Sequence, residues 1–365
     1  MRDKPIRRIG ISTGGGDCPG LNAVIRAATI TAIHELEWEV LGIKNGLAGL
    51  IYPDETLELT IDVVKDLVHQ GGTILGTTNR GDPFSWVHKS PDGTTERVDL
   101  SMRLVENFEH LGLDALITIG GDGSMRIAQR LQGIGIPVVG VPKTIDNDLG
   151  ATDVSFGFES AVRTATDALD KLHSTARSHR RVMIVEVMGR EAGWIALHSG
   201  LAGNAHAILI PEIPFQIERL VEFLEKRQRH EEYSIVVVAE AAHLQGEGAN
   251  ILSRAADGTP RLGGIGHQLA GLLSERSSEL ECRVVVVGHI QRGGSPTEYD
   301  RVLATRYGEA AVRLIAERKF GFMTSLQGTA ITAVPIADAI GEPKRVHPEG
   351  TLVRVARAMG ISFGD

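Results

Sequence analysis

Short apolar runs rich in β-branched residues punctuate the chain: Ile9 to Ser12, Val40 to Ile43, Ala115 to Ile119, Pro137 to Val141, Val182 to Val187, Ala207 to Ile210, Ile235 to Ala239 and Val284 to Val287. Lacking polar alternation, they read as strands buried on both faces. Longer amphipathic segments lie between them. In ESAVRTATDALDKLH, residues 159–173, Val162, Ala165, Leu169 and Leu172 recur at three- and four-residue steps, with Arg163, Asp167 and Lys171 opposite. That period is helical. Strand alternating with helix predicts right-handed βαβ units, hence α/β architecture with mostly parallel sheets flanked by helices. At 365 residues the chain has room for two lobes of this kind.

Several strands run straight into glycine-rich turns: IGIST into GGGD, LITIG into GDGS, VVVVGHIQ into RGGSP. Ligands in open parallel sheets sit beyond the carboxyl ends of the strands, so chemistry is expected at these turns. The stretch 245–265 reads as a surface connection. The net charge of −8 gives no global field toward nucleic acid or an anionic membrane, so an anion site has to be built locally. Cys18 and Cys282 are far apart and neither belongs to a CxxC pair, which argues against structural zinc and disulfides and fits a reducing cytoplasm. A strand begins within a few residues of Met1, leaving no room for a signal peptide, and no apolar run approaches the ~18 residues of a membrane span. A cytoplasmic location is expected.

Four groups of residues are candidates for chemistry. In TGGGDCPG, Thr13 to Gly20, the glycines let backbone approach a polyanion and the next helix offers its N–H groups; equally, this is an ordinary strand-to-helix turn with Pro19 early in the helix. It is not a dinucleotide fingerprint, because the third glycine would fall on Pro19, and no GxxxxGK[ST] occurs. In GGDGS, Gly120 to Ser124, Asp122 is placed either to hold Mg²⁺ or to cap the following helix.

The third group is PKTIDND, where Pro142 ends the strand and Lys143 to Asp148 project beyond it. Asp146 is the candidate general base toward a hydroxyl, with Lys143 the nearby cation and Thr144 a phosphate contact; Asp148 suits an Asx-turn. The fourth group is basic. Arg181 and Arg190 bracket one strand, and Arg283 and the HIQR stretch, His289 to Arg292, bracket another. Arginines at strand ends either clamp a phosphate or are solvated surface charges. Glu240, at the end of SIVVVAE, is a sugar-hydroxyl acceptor or a structural carboxylate.

Taken in order, GGGDCPGLNAVIR, GGTILGT, GGDGS, PKTIDND, VEVMGR and GHIQRGGSPTEYDR resemble the 6-phosphofructokinase family from about residue 6 to about residue 320. The resemblance implies a two-lobed fold with the active site between the lobes. Residues 1–157 plus about 291–340 would form the nucleotide and Mg²⁺ lobe, and 158–290 plus about 341–365 the sugar-phosphate lobe. It implies a glycolytic kinase of the cytoplasm in which MgATP phosphorylates the 1-hydroxyl of fructose 6-phosphate, with Asp146 as base and Asp122 on Mg²⁺. Lys143, Thr144 and Arg190 would be catalytic. Gly15, Arg80, Gly81, Gly121, Asp122, Gly123 and Ser124 would contact the donor. Thr144, Ile145, Asp146, Met188, Gly189, Arg190, Glu240, His289, Ile290, Gln291 and Arg292 would contact the sugar. Arg181 and Arg283 would reach the 6-phosphate held by a neighbouring subunit, making the enzyme an obligate homo-oligomer, a dimer or a tetramer.

The family divides between ATP and pyrophosphate as donor. Gly123, where pyrophosphate users carry an aspartate, favours ATP; Lys143, where many ATP users carry glycine, points the other way. Pyrophosphate therefore stays as an alternative, as does a sensor that kept the fold without catalysis. Effector-controlled ATP enzymes of the family typically carry a glutamate in the turn after the helix following MGR, near which this chain has His206, and an arginine one helical turn after Arg26, where this chain has Ile30, so the resemblance does not extend to ADP and phosphoenolpyruvate control.

Overall fold

The computed structural model describes residues 4–89, 95–231, 233–254 and 260–365. The chain divides into two compact units: unit 1 comprises residues 1–145, 149–157 and 292–342, and unit 2 comprises 146–148, 158–291 and 343–365. Among the described residues the strands are β1 (Arg8–Thr13), β2 (Glu39–Ile43), β3 (Thr56–Glu58), β4 (Trp86–Lys89), β5 (Thr95–Val98), β6 (Ala115–Gly120) and β7 (Val138–Pro142), then β8 (Val182–Val187), β9 (Ala207–Leu209), β10 (Ser234–Ala239), β11 (Ile251–Arg254), β12 (Pro260–Leu262), β13 (Cys282–Val286), β14 (Phe322–Gln327) and β15 (Ala330–Pro335).

Unit 1 is built on a seven-stranded sheet in the order β15-β14-β7-β6-β1-β2-β3. All its pairs are parallel except β2 with β3 and β14 with β15. The central strands β1, β6 and β7 are buried nearly throughout, as their unbroken apolar runs require. A core of Ile43, Leu104, Leu116, Met125, Leu131, Val138 and Met323 packs between sheet and helices. Unit 2 carries an all-parallel sheet in the order β13-β8-β10-β9, with Val182, Ile184, Leu209, Val236, Leu220, Leu269 and Leu273 in its core. The amphipathic stretch at 159–173 belongs to a helix, Phe158–His179.

Two local expectations, on β13 and on Pro19, are corrected, and two hairpins add to the reading. β13 is not buried on both faces: it is the edge of its sheet, and Arg283 and Val286 are exposed. A run of valines has the same composition whether a neighbour covers it or not, so periodicity cannot separate edge from centre. The surface connection at 245–265 contains the antiparallel pair β11–β12. The hairpin β14–β15 completes the large sheet, although its mixed pattern gave no strand signal. Finally, Pro19 precedes the helix Leu21–Leu36, whose cap is Gly20. Among the described residues, no helix is long and apolar enough to cross a membrane, and both cysteines are free.

Candidate active site

In unit 1 the adjacency of β1, β6 and β7 sets three turns side by side at the carboxyl edge of the sheet. Backbone bonds tie them together: Gly14 N–H donates to Ile119 O at 2.9 Å, and Lys143 N–H to Gly120 O at 2.9 Å. Gly15 adopts φ +78°, a region open to glycine at little cost. A Cβ at Gly16 would lie 2.7 Å from Arg292 Nη1, so only glycine lets the guanidinium come this close. Arg292 Nη1 donates to Asp17 O at 3.0 Å, and the ammonium of buried Lys143 donates to Gly16 O. Two cations thus back the Gly14 to Asp17 turn, giving a positive wall at a place where backbone alone could already cradle a phosphate.

The turn is also held from the side. Thr77 Oγ1 donates to Gly15 O at 2.6 Å, and Gly15 N–H donates to Thr78 O at 3.1 Å. Asn22 fastens the same loop, accepting from Ile74 N–H at 2.9 Å and donating to Gly71 O at 3.1 Å. These supports carried no assigned role in the sequence; the only signals were that Thr77 belongs to the GGTILGT stretch and Asn22 to GGGDCPGLNAVIR.

Asp122 is the first residue of the helix Asp122–Gly133, and the cap is Gly121, so capping is not its task. Its carboxylate is half-buried and accepts from Arg126 Nε at 2.7 Å. A Cβ placed on Gly123 meets no heavy atom beyond its own helix within 4 Å, leaving the mouth of this turn open. Arg80 is exposed and Gly81 half-buried in the loop that follows Thr78. Thr144 is half-buried, with its carbonyl accepting from Ser155 Oγ at 2.9 Å. Ile145 is buried, so only its backbone is left to meet a ligand.

In unit 2, Asp146 is half-buried and its Oδ1 is shielded from solvent. The carboxyl ends of β8 and β10 are neighbours, with Glu240 N–H donating to Val187 O at 2.9 Å. Gly189 has φ +147° and a Cβ there would sit 2.9 Å from Ala192 O, so the turn needs glycine. Arg190 is exposed, and so are His289 and Ile290. Gln291 departs from the expected sugar contact: it is fully buried, and its Oε1 accepts Met188 N–H at 2.8 Å. Glu186, a charged residue inside a valine-rich strand, is buried too, accepting from Gly264 N–H at 3.0 Å and Gly266 N–H at 2.9 Å. It thereby satisfies N–H groups at the amino end of the helix Ile265–Arg276, whose N-cap residue is Gly264. A lone carboxylate in a buried run was the visible signal for it.

The arginines do not all gather in one place. Arg181 and Arg283 lie at the amino ends of β8 and β13, whereas Met188 to Arg190, Glu240 and His289 follow carboxyl ends of the same parallel sheet. A strand of this length separates its ends by about 15–20 Å. One small ligand therefore cannot touch both edges within a single chain.

An α/β protein whose parallel strands deliver glycine turns, backed by cations and flanked by single carboxylates, belongs to the class that handles phosphorylated ligands. The chain belongs to the phosphofructokinase family, whose model, described as "Phosphofructokinase", matches residues 8–315. It is 52% identical over 362 residues to an ATP-dependent 6-phosphofructokinase of Chloroflexus aurantiacus, covering 98% of each chain. It is also 49% identical over 345 residues to a pyrophosphate–fructose 6-phosphate 1-phosphotransferase of Amycolatopsis methanolica, covering 94% of this chain and 97% of the other. Among solved structures, a phosphofructokinase of Pichia pastoris in the T-state superposes with a TM-score of 0.77 at 30% identity, over 92% of this chain and 35% of that longer one. The resemblance carried by the motifs and the α/β fold class are thereby shown.

Proposed function

We propose that this chain is an ATP-dependent 6-phosphofructokinase, transferring the terminal phosphoryl group of MgATP to the 1-hydroxyl of fructose 6-phosphate. Family membership and the full-length likeness to ATP-dependent relatives support the reaction. For the donor, the carrying observation is Gly123: it brings no side chain to that turn, and beyond its own helix no other part of the chain lies within 4 Å of where a Cβ would sit. A steric block excludes a donor, whereas an added cation only assists one.

Asp146 is the base that takes the proton of the attacking hydroxyl. Lys143, behind the Gly14 to Asp17 turn, offsets charge on the donor phosphates, Thr144 hydrogen-bonds the moving group, and Arg292, held on Asp17 O beside that turn, contacts the sugar phosphate. Arg190 neutralises charge as the phosphoryl passes between oxygens. Gly15, Arg80, Gly81 and Gly121 to Ser124 contact the donor, and Met188, Gly189, Glu240 and His289 contact the sugar. Arg181 and Arg283 bind the 6-phosphate held by a neighbouring copy in a homo-oligomer, a role that suits their place on the far edge of the sheet.

Mg²⁺ suits the residues present. It keeps most of its waters and takes one or two carboxylates besides phosphate oxygens. Asp122 is such a single carboxylate at a glycine turn, and among the described residues no cluster of three or more His, Cys, Asp or Glu forms an all-protein metal cage. When bound, the ion would neutralise donor phosphate charge.

A second reading keeps the reaction and changes the donor to pyrophosphate, favoured by the buried ammonium of Lys143 at the turn. A coupled assay of fructose 1,6-bisphosphate formation with each donor separates the two. Turnover per KM is expected to be higher with ATP; a higher value with pyrophosphate overturns the choice.

A further inference from the structure

At the amino-end edge of the unit 2 sheet two arginines converge on one carboxylate. Arg181 Nε donates to Glu281 Oε1 at 2.8 Å, and Arg283 Nη2 donates to the same oxygen at 2.6 Å. Arg283 Nη1 is fixed as well, on Cys282 O at 2.8 Å. Backbone geometry imposes the grouping. In the parallel register Cys282 lies opposite Val182, which makes Arg181 and Glu281 neighbours across the ladder, joined by Val182 N–H to Glu281 O at 3.0 Å. Glu281 and Arg283 are two residues apart, so they project on the same face of their strand.

Two guanidiniums side by side repel, and a half-exposed ion pair contributes little stability by itself. What the shared carboxylate does is hold both planes in place at once. Each guanidinium has five N–H donors in a fixed fork, and Arg181 commits only its Nε to Glu281. Its two terminal nitrogens stay available to an anion, and the side chain remains about a quarter exposed, at 26%.

We infer that Glu281 is a positioning residue: it holds Arg181 and Arg283 as a single preorganised fork for the phosphate monoester of the sugar substrate. The assignment rests on the proposed phosphofructokinase activity. Preorganisation lowers the ordering cost that two long side chains would otherwise incur on binding. The dianion adds its oxygens to the remaining N–H groups while the carboxylate keeps the two planes aligned.

The test uses the full chain and initial rates with fructose 6-phosphate and ATP, comparing wild type, Arg181→Ala, Glu281→Ala and Glu281→Gln. In Glu281→Ala the half-saturating fructose 6-phosphate concentration should rise about tenfold, the scale of one charge-assisted hydrogen bond. In the same variant, kcat, the KM for ATP and the melting temperature should stay near wild type. Glu281→Gln, which keeps an acceptor oxygen, should fall between. A half-saturation that is unchanged or lower in Glu281→Ala, or an equal shift in the ATP KM, overturns the inference. A raised half-saturation in Arg181→Ala but not in Glu281→Ala overturns the role of Glu281 alone. No effect of Arg181→Ala, in an enzyme that does phosphorylate fructose 6-phosphate, overturns the 6-phosphate assignment along with it.

Discussion

Gln291 accepts the backbone N–H of Met188 on its side-chain Oε1 at 2.8 Å, joining two turns that lie 103 residues apart in the chain. Its Nε2 reaches Ala161 O at 3.5 Å, so the buried amide links the ends of β8, β13 and the helix Phe158–His179. Gln291→Ala leaves the Met188 donor without that acceptor. Such a loss costs about 1–3 kcal/mol. The variant should melt at lower temperature and show a raised KM for fructose 6-phosphate, because the Met188 to Arg190 turn loses its anchor. Wild-type melting and KM together would show the bond to be dispensable.

Asp146→Asn preserves shape and removes the base. Turnover should fall by about 10² to 10⁴, the usual worth of a positioned base. Fructose 6-phosphate affinity, measured by calorimetry, should change little. A rate near wild type assigns the proton transfer to another group.

For Asp122 the distinguishing readout is the metal. Asp122→Ala breaks an exposed pair with Arg126, worth a few tenths of a kcal/mol in a helix, so thermal stability should barely move. The Mg²⁺ concentration for half-maximal rate should rise by about tenfold or more, as when a metal's supporting contact is lost. An unchanged Mg²⁺ requirement removes Asp122 from the metal site.

His206 bears on stability against pH. Burial, with added repulsion from Arg227 and His173, pushes its pKa down from 6.5 to about 4. Its Nδ1 accepts Ile235 N–H at 2.8 Å, a bond that protonation at that nitrogen would destroy. The unfolded chain takes up the proton first, so stability should be full above pH 6.5 and decline as pH falls toward about 4. Melting curves between pH 7 and pH 4.5 should show a shallower slope in His206→Asn than in wild type. Equal slopes would place the acid sensitivity elsewhere. His206 is an interior group whose backbone pairs with β10 through His206 N–H to Ile235 O at 2.8 Å.

Much of unit 1's turn chemistry was legible along the chain, because it is local. β-Branched runs dictate strands, glycines dictate where backbone can turn sharply, and Pro142 closes its strand, so the Gly14 to Asp17, Gly120 to Ser124 and Lys143 to Asp148 stretches could be placed at strand ends from their own residues. Strand order was not local. β1, β6 and β7 are neighbours, and β13 is an edge, because of which faces find apolar cover across separations of tens to more than a hundred residues. From that order alone come the covered amide of Gln291, the buried carboxylate of Glu186 and the meeting of Arg181 and Arg283 on Glu281. Residue type announced which groups can carry charge or bend the backbone; tertiary packing decided which are fixed inside and which face solvent, since burial is a property of neighbours that no short window of sequence contains.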